Sequence, residues 1–206
     1  TATYPATGLG AYLQYNLSPK LQLLGGFQNP PREDAGGFSQ EGFGEHKYTW
    51  WSHLQWMPKF AKLGEGQYSL THYRSAAVED TPQSSGWSFN AAQNLSQRWA
   101  IFGRANNSQD ADGVKKSSLI GGIALLNPLR RSATDQIAIS LGHSQQNSPL
   151  ARQWGTDRSQ QIEAYWNWTI LAGLLLTPDL VYIRHPSYAP THDSAFVFSL
   201  RTTLLF

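Results

Sequence analysis

Charged and hydrogen-bonding side chains recur at alternate positions in several short stretches of the chain. Arg98 and Arg104 belong to one stretch, and Glu163, Tyr165 and Asn167 alternate in another. Guanidinium groups donate hydrogen bonds and carboxylates accept them, so a row of such groups can bind a polar solute weakly and release it. Side chains that alternate in this way share one face of a β-strand. The pattern therefore predicts a polar wall built from strands.

Motifs for catalysis or for a bound metal are missing from the sequence. It has six His and no Cys, and neither His-Glu-x-x-His nor Gly-x-Ser-x-Gly occurs. Residues 110–113 (Asp-Ala-Asp-Gly) resemble only part of a calcium loop, because the closing Glu is absent. We predict no metal and no cofactor. His143, His185, His192 and Asp193 come near strand ends, so an enzyme built on the rim of a barrel stays an alternative.

The composition excludes several classes of protein. Charged residues form 15% of the 206 residues and aromatic residues 13%, whereas disordered chains are rich in charge and poor in aromatics. The basic residues are spread out and the net charge is +2, so no nucleic-acid surface is predicted. The mean hydropathy is −0.42, and no apolar run approaches the length of about 18 residues that a transmembrane helix needs.

Apolar and polar residues alternate in eleven segments. Most have about 9–13 residues, which is long for an ordinary strand but suits a tilted strand that crosses a bilayer. In the last segment Phe196, Phe198 and Leu200 share one face, and Arg201 lies on the other. The predicted strands cover residues 8–16, 20–28, 47–57, 66–74, 86–94, 97–105, 116–126, 135–143, 160–170, 173–184 and 194–206.

Short and long connections alternate between these segments. The long ones, rich in Gly, Pro, Ser and Asn, cover residues 29–46, 75–85, 106–115, 144–159 and 185–193. Short turns at one end and long loops at the other are typical of outer-membrane barrels. We therefore predict an all-β, antiparallel transmembrane β-barrel, with apolar side chains toward lipid and Arg201 toward the lumen. A soluble sandwich that buries its apolar face is the alternative.

Aromatic residues near the predicted strand ends fit the girdles that mark the two membrane interfaces of such barrels. The candidates are Tyr48, Trp56, Trp87, Trp168 and Tyr182. In a soluble protein the same rings would fill a core.

The last part of the chain carries motifs of a known family. Glu163-Ala164-Tyr165 precedes a strand with residues 178–183 (Pro-Asp-Leu-Val-Tyr-Ile), and the closing strand contains Leu200-Arg201 and ends on Phe206. These motifs resemble the C-terminal strands of the carbohydrate-selective porins of the OprB family. The resemblance covers roughly residues 86–206.

Two upstream motifs and two departures refine the resemblance. Residues 101–104 (Ile-Phe-Gly-Arg) are similar to a Leu-Phe-x-Arg strand of the family, and residues 128–131 with Asp135 are similar to its Pro-x-Arg-x-x-Asp turn. Val181 replaces the family's usual Gln, and Arg184-His185 replaces a usual Asn before Pro. The resemblance implies a β-barrel of the porin type, with about 11–12 of its strands in this chain. It also implies passive diffusion of sugars through a water-filled pore in the outer membrane, without enzymatic activity.

Six residues are predicted to face the pore lumen and to contact a permeating sugar. Arg104 and Arg201 match family motifs and have the parity of the polar face, and the rings of Tyr165 and Trp51 offer flat surfaces. The alternative is that the charges pair across the wall and only maintain its shape. The predicted lumen residues are Arg104, Arg201, Glu163, Tyr165, Asp179 and Arg98.

Counting strands predicts the organisation of the chain. Bacterial single-chain barrels have an even number of strands, and the resemblance implies sixteen, so we expect residues 1–206 to form one β-barrel domain that lacks N-terminal strands. Loops 29–46 and 144–159 are candidates for narrowing the pore. Since Pro178 cannot donate to a ladder, we expect a bulge there.

The expected partners are small sugars as permeating solutes and outer-membrane lipid, including lipopolysaccharide. A homo-oligomer is allowed for. A barrel for polysaccharide export and a soluble, lectin-like sandwich are further alternatives.

Overall fold

The structure of the protein is a computed structural model that describes residues 10–29, 47–77, 83–109, 117–146, 157–186, 189 and 191–204. These residues form twelve β-strands. Their bounds are β1 (Gly10–Ser18), β2 (Leu21–Gln28), β3 (Thr49–Trp56), β4 (Lys59–Phe60), β5 (Gly64–Ser75), β6 (Ser84–Asn94), β7 (Trp99–Ser108), β8 (Ser117–Leu126), β9 (Gln136–Gln145), β10 (Arg158–Leu171), β11 (Leu174–Arg184) and β12 (Ser194–Leu204).

Eleven of the strands form one antiparallel sheet in chain order, from β1 to β12, and the two-residue β4 pairs only with β5. Each of the eleven predicted segments overlaps one of these long strands, which confirms the predicted all-β antiparallel architecture and its strand count. In the described part of the chain, β1 and β12 are the two edges of the sheet. The short turns define one end of the sheet, the turn end, and the long connections define the other, the loop end.

Cross-strand register divides the side chains into two faces. Arg201 pairs with Thr177 and Phe198 pairs with Leu180, and directly opposed residues of antiparallel strands point to the same side. We call the side that carries Arg201 the polar face and the side that carries Phe198 the apolar face. Following the register from strand to strand places these residues on the polar face: Gln14, Gln22, His53, Ser69, Asn90, Arg104, Asn106, Ser118, Ser140, Glu163, Tyr165, Thr177, Asp179 and Ser199.

The apolar face is exposed and does not form a core. Phe198 is 69% exposed and Leu141 63% exposed, and among the described residues the buried hydrophobic side chains are Ala124 and Ala138. A soluble sandwich would cover such a surface, because large exposed apolar patches mark contact with a partner or a membrane. Other exposed members of this face are Leu13, Leu23, Leu54, Leu70, Phe89, Ile101, Leu119, Ile139, Ile162, Leu180 and Leu200.

Aromatic clusters lie at both ends of the apolar face. At the loop end, Trp50 packs on Phe27, with ring centroids 5.1 Å apart, and Tyr48 meets both rings. At the turn end, the Trp56 ring lies 5.4 Å from that of Tyr68. The predicted girdle residues therefore lie near strand ends: Tyr48, Trp87 and Tyr182 toward the loop end, and Trp56 and Trp168 toward the turn end.

The predicted bulge at Pro178 is wrong. Pro178 pairs with Leu200 in an unbroken register between β11 and β12. On the β10 side, pairing stops after Tyr165–Asp179 and resumes at Trp168–Leu176 in the same register. The missing N–H of proline thus interrupts two pairs without shifting the strand. A side-chain hydrogen bond crosses the gap, since the Thr177 hydroxyl donates to Asn167 Oδ1 at 2.9 Å.

The turn between β8 and β9 is fixed by a buried carboxylate. Asp135 is fully buried, and its Oδ1 accepts a hydrogen bond of 2.8 Å from the backbone N–H of Thr169 on β10. Its Oδ2 lies 3.1 Å from Arg131 Nε as an ion pair, and the Arg131 guanidinium lies 5.6 Å from the ring centroid of Trp168. The turn is thereby bonded to β10 as well as to β8 and β9, the two strands that it connects.

Candidate functional site

Four of the six predicted lumen residues lie together on the polar faces of β10, β11 and β12. Tyr165 is directly opposite Asp179, and Glu163 is two residues along the same face of β10. Arg201 is opposite Thr177, which is two residues from Asp179 on the same face of β11. Residues so placed are within about 7–8 Å along the diagonal. The sheet therefore gathers two carboxylates, a phenol and a guanidinium on one patch, which we call the charged patch.

Neutral neighbours hold the members of the charged patch. Gln136 Nε2 donates to the Tyr165 hydroxyl oxygen at 2.7 Å, and the Ser140 hydroxyl donates to Glu163 at 3.3 Å. Ser199 donates a longer bond of 3.4 Å to Asp179 Oδ2. These contacts orient the phenol and the two carboxylates, and Asp179 Oδ1 is buried without a hydrogen-bond partner among the described residues.

Ion pairs do not neutralise the charged patch within the described residues. The ion pairs found there are Lys59–Glu65 and Arg131–Asp135, both at the turn end. The described part of the sheet therefore does not show the alternative, in which charged side chains of the polar face pair with one another.

Arg104 lies apart from the charged patch, on β7, with β8 and β9 between them. Its Nε donates to Asn90 Oδ1 on β6, and the side chain is exposed. It borders two shallow cavities of about 390 and 470 Å³. The first also contacts Tyr73 and Asn106, and the second contacts Phe102. Hydroxyl, amide and guanidinium groups thus line two open recesses, each large enough to admit a small polar solute.

Arg98 lies outside the strands. It belongs to the turn of residues 95–98, directly before β7, and is exposed at the turn end. Its backbone N–H donates to the Ser96 hydroxyl at 3.2 Å. Any contact of Arg98 with a solute would therefore be at the turn end of the sheet and not in the middle of the polar face. This contact stays a prediction. Of the two connections predicted to narrow the pore, residues 30–46 and 147–156 lie outside the described residues.

Rings that lie flat on the polar face were not predicted as a group. The ring of Trp51 reaches over Gly26 on the neighbouring strand, where an added Cβ would lie 3.0 Å from Trp51 Cζ2. Tyr73 covers Gly86 in the same way, with its Cε1 2.7 Å from the Cβ position, and Phe102 covers Gly122. Each glycine is next to the ring in the register. The sequence signal is an aromatic residue opposite a glycine, which can be read only after the register is known.

Catalytic and metal-binding arrangements are not found in the part of the chain that the structure describes. No group of three His, Asp or Glu side chains is placed there to hold a metal ion. Two hydroxyl–imidazole contacts occur, Thr71 with His53 at 2.8 Å and Thr191 with His192 at 3.0 Å.

No helix in the described residues is both long and apolar enough to cross a membrane.

Comparisons with known proteins place this sheet among porins. The family model described as carbohydrate-selective porin, OprB family, matches residues 59–206. Relatives include Porin AaxA of Chlamydia abortus, 29% identical over 98% of this chain and 45% of that protein, and Porin AaxA of Chlamydia pneumoniae, 30% identical over 99% and 47%. The chain thus spans less than half the length of these curated relatives.

A solved structure has the same fold. The low-pH structure of Pseudomonas putida OprB is similar with a TM-score of 0.66 at 16% identity, over 94% of this chain and 54% of that one.

Proposed function

This chain belongs to the OprB family of carbohydrate-selective porins, which are outer-membrane proteins of Gram-negative bacteria, and on that premise we propose that it forms part of a water-filled pore for the passive diffusion of small sugars. One observation carries the proposal. Eleven strands in unbroken sequence carry a face of hydroxyl, amide and charged groups and, behind it, an exposed face of large apolar side chains. Such a wall separates water from lipid.

The polar face suits a sugar because its groups are numerous and individually weak. Hydroxyls of a sugar exchange bonds with water for bonds with Ser, Asn, Gln and Tyr side chains at little net gain, and passage needs binding that is easily reversed. We assign the contacts with sugar to the six predicted lumen residues. Five of them lie on the polar face and Arg98 lies at the turn end; the five are Arg104, Arg201, Glu163, Tyr165 and Asp179. The apolar face contacts outer-membrane lipid in this proposal, and assembly into a homo-oligomer stays a prediction.

We propose that the complete pore contains more strands than the described sheet. The edges β1 and β12 each pair on one side in the described residues, and an open edge in hydrocarbon leaves backbone groups unpaired at a cost of several kcal/mol each. The relatives have more than twice the length of this chain. We propose that residues 1–206 form one part of a single barrel domain, of sixteen strands as the family resemblance implies.

Swelling of proteoliposomes tests the proposed function. Full-length protein reconstituted into liposomes should let glucose enter, so that the liposomes swell in isosmotic glucose, and should exclude a long dextran. Liposomes with heat-denatured protein serve as the control. Failure to swell in any monosaccharide would refute passive sugar diffusion, and entry of dextran as fast as glucose would favour polysaccharide export. Turnover of an added ester or peptide substrate would point to the barrel-enzyme alternative.

A further inference from the structure

A row of three aromatic side chains crosses the polar face near the loop end. Tyr12 on β1, Trp51 on β3 and Tyr73 on β5 share one register line, through Gly26 on β2 and on to Gly86 on β6. Trp51 and Tyr73 are each third from the loop end of their strands. We call this row the aromatic strip.

The rings of the aromatic strip lie along the wall. The Trp51 ring covers Gly26, and its centroid is 6.3 Å from that of Tyr12, with the planes inclined by 35°. The Tyr73 ring covers Gly86, with its hydroxyl oxygen 3.0 Å from the position of an added Cβ. A ring that rests on a glycine backbone turns its other face away from the sheet. Trp51 and Tyr73 are half-buried, so each ring keeps part of its surface exposed among the described residues.

Hydrogen-bonding side chains border the aromatic strip on both sides. Toward the loop end, the hydroxyls of Thr49 and Ser75 bond to each other at 2.8 Å. Toward the turn end, His53 Nδ1 bonds to the Thr71 hydroxyl, also at 2.8 Å. Both pairs belong to the rows of the register next to the strip. A ligand that fits this arrangement has an apolar face and hydroxyl groups around its edge.

We propose that the aromatic strip binds the apolar C–H face of a pyranose ring while the bordering side chains bond its hydroxyls, and so selects cyclic sugars over open-chain polyols. The inference rests on the proposed sugar-pore function. It concerns residues that were not assigned to sugar above, apart from the ring of Trp51. An aromatic ring on the wall offers a flat surface that a pyranose can cover without losing bonds to water at its edge.

Replacement of Trp51 tests the proposal, with its neighbour as a matched control. Trp51→Leu removes the ring and keeps apolar volume, Trp51→Phe keeps a ring, and Trp50→Leu makes the same change on the apolar face. Binding is measured in planar bilayers with the full-length protein, as the reduction of ion current by glucose and by sorbitol, an open-chain polyol of similar size. Conductance in salt alone checks that each variant inserts as an open pore.

Trp51→Leu should weaken glucose binding by about three- to tenfold, as expected for loss of one aromatic contact, and leave sorbitol unchanged. Trp51→Phe should retain most of the binding, and Trp50→Leu all of it. Tyr73→Leu, on another strand, should weaken glucose in the same selective way and is decisive if Trp51→Leu fails to insert. Equal glucose binding by wild type and these variants would overturn the aromatic strip and leave the sugar pore intact. A wild-type pore that admits no sugar would overturn both.

Discussion

Glycines on the two faces of the sheet have different surroundings. On the apolar face, an added Cβ at Gly25, Gly103 or Gly121 would meet nothing closer than 3.3 Å. On the polar face, an added Cβ would lie less than 3.0 Å from a neighbouring atom at five glycines. They are Gly10, Gly26, Gly86, Gly122 and Gly142. Gly66, near the turn end, is a crowded exception on the apolar side.

The difference indicates where side chains converge. Inward-facing positions of barrels are filled by alternating small and large residues, because side chains approach one another on the inner surface. On the polar face, Phe102 covers Gly122 and Gln161 covers Gly142, and the space saved stays open for water and solute. On the apolar face, side chains diverge, and in the proposed pore lipid fills the gaps between them. The faces thus differ in packing as well as in polarity, and each difference can be tested with neighbouring residues.

Charge should separate the two faces most strongly. Leu180→Arg places a guanidinium on the apolar face in mid-strand, where it should reduce the free energy of unfolding in lipid by about 2–4 kcal/mol. Val181→Arg, one residue later, faces Glu163 on the polar side and should cost little. Urea unfolding of both variants in lipid vesicles, followed by Trp fluorescence, measures the two values. Equal losses would contradict the assignment of faces.

The buried carboxylate of the turn end should give the next largest effect. Asp135→Ala removes the acceptor for the Thr169 N–H and leaves Arg131 without its partner, so we expect a loss of about 1.5–3 kcal/mol. Asp135→Asn keeps an oxygen for Thr169 and loses only the ion pair, and it should fall between wild type and Asp135→Ala. The same urea titration measures both. A wild-type midpoint for Asp135→Ala would show that the turn is held by other contacts.

Adjacent glycines offer the sharpest test of packing. Gly122→Ala would push a methyl group into the ring of Phe102 and should destabilise the protein by about 1–3 kcal/mol. Gly121→Ala meets only the Phe102 carbonyl oxygen at 3.9 Å, so it should be neutral or stabilising by up to about 1 kcal/mol. Thermal melting in detergent compares the two variants. A reversed order would contradict the crowding of the polar face.

The smallest effect is expected for a single charge on the open wall. Arg104→Gln removes an exposed charge on the polar face and should lower the ratio of anion to cation permeability by no more than about twofold, since salt screens such charges over about 10 Å. Arg184→Gln is the control, because Arg184 lies on the opposite face at the end of β11. Reversal potentials in a salt gradient measure the ratio. A shift for Arg184→Gln and none for Arg104→Gln would contradict the lumen position of Arg104.

Much of the fold follows from the sequence because period two is a local property. The positions of Phe198 and Arg201 on opposite faces require only that the segment is a strand. The gathering of Tyr165, Asp179 and Arg201 needs the register of three strands, which alternation within one strand does not contain. The bulge expected at Pro178 failed for the same reason, since the effect of a missing N–H depends on which neighbour it would have faced.

The order of residues alone determined the eleven long strands, the side of the sheet to which each of their side chains points and the family to which the chain belongs. These features come from alternation and from short motifs, which act within a few residues. Only the tertiary structure decided that Trp51 rests on Gly26, that Asp135 is buried at a turn and that the side chains of Glu163 and Asp179 have neutral partners. Those contacts join residues far apart in the chain, and they depend on register, which the packing of neighbouring strands sets.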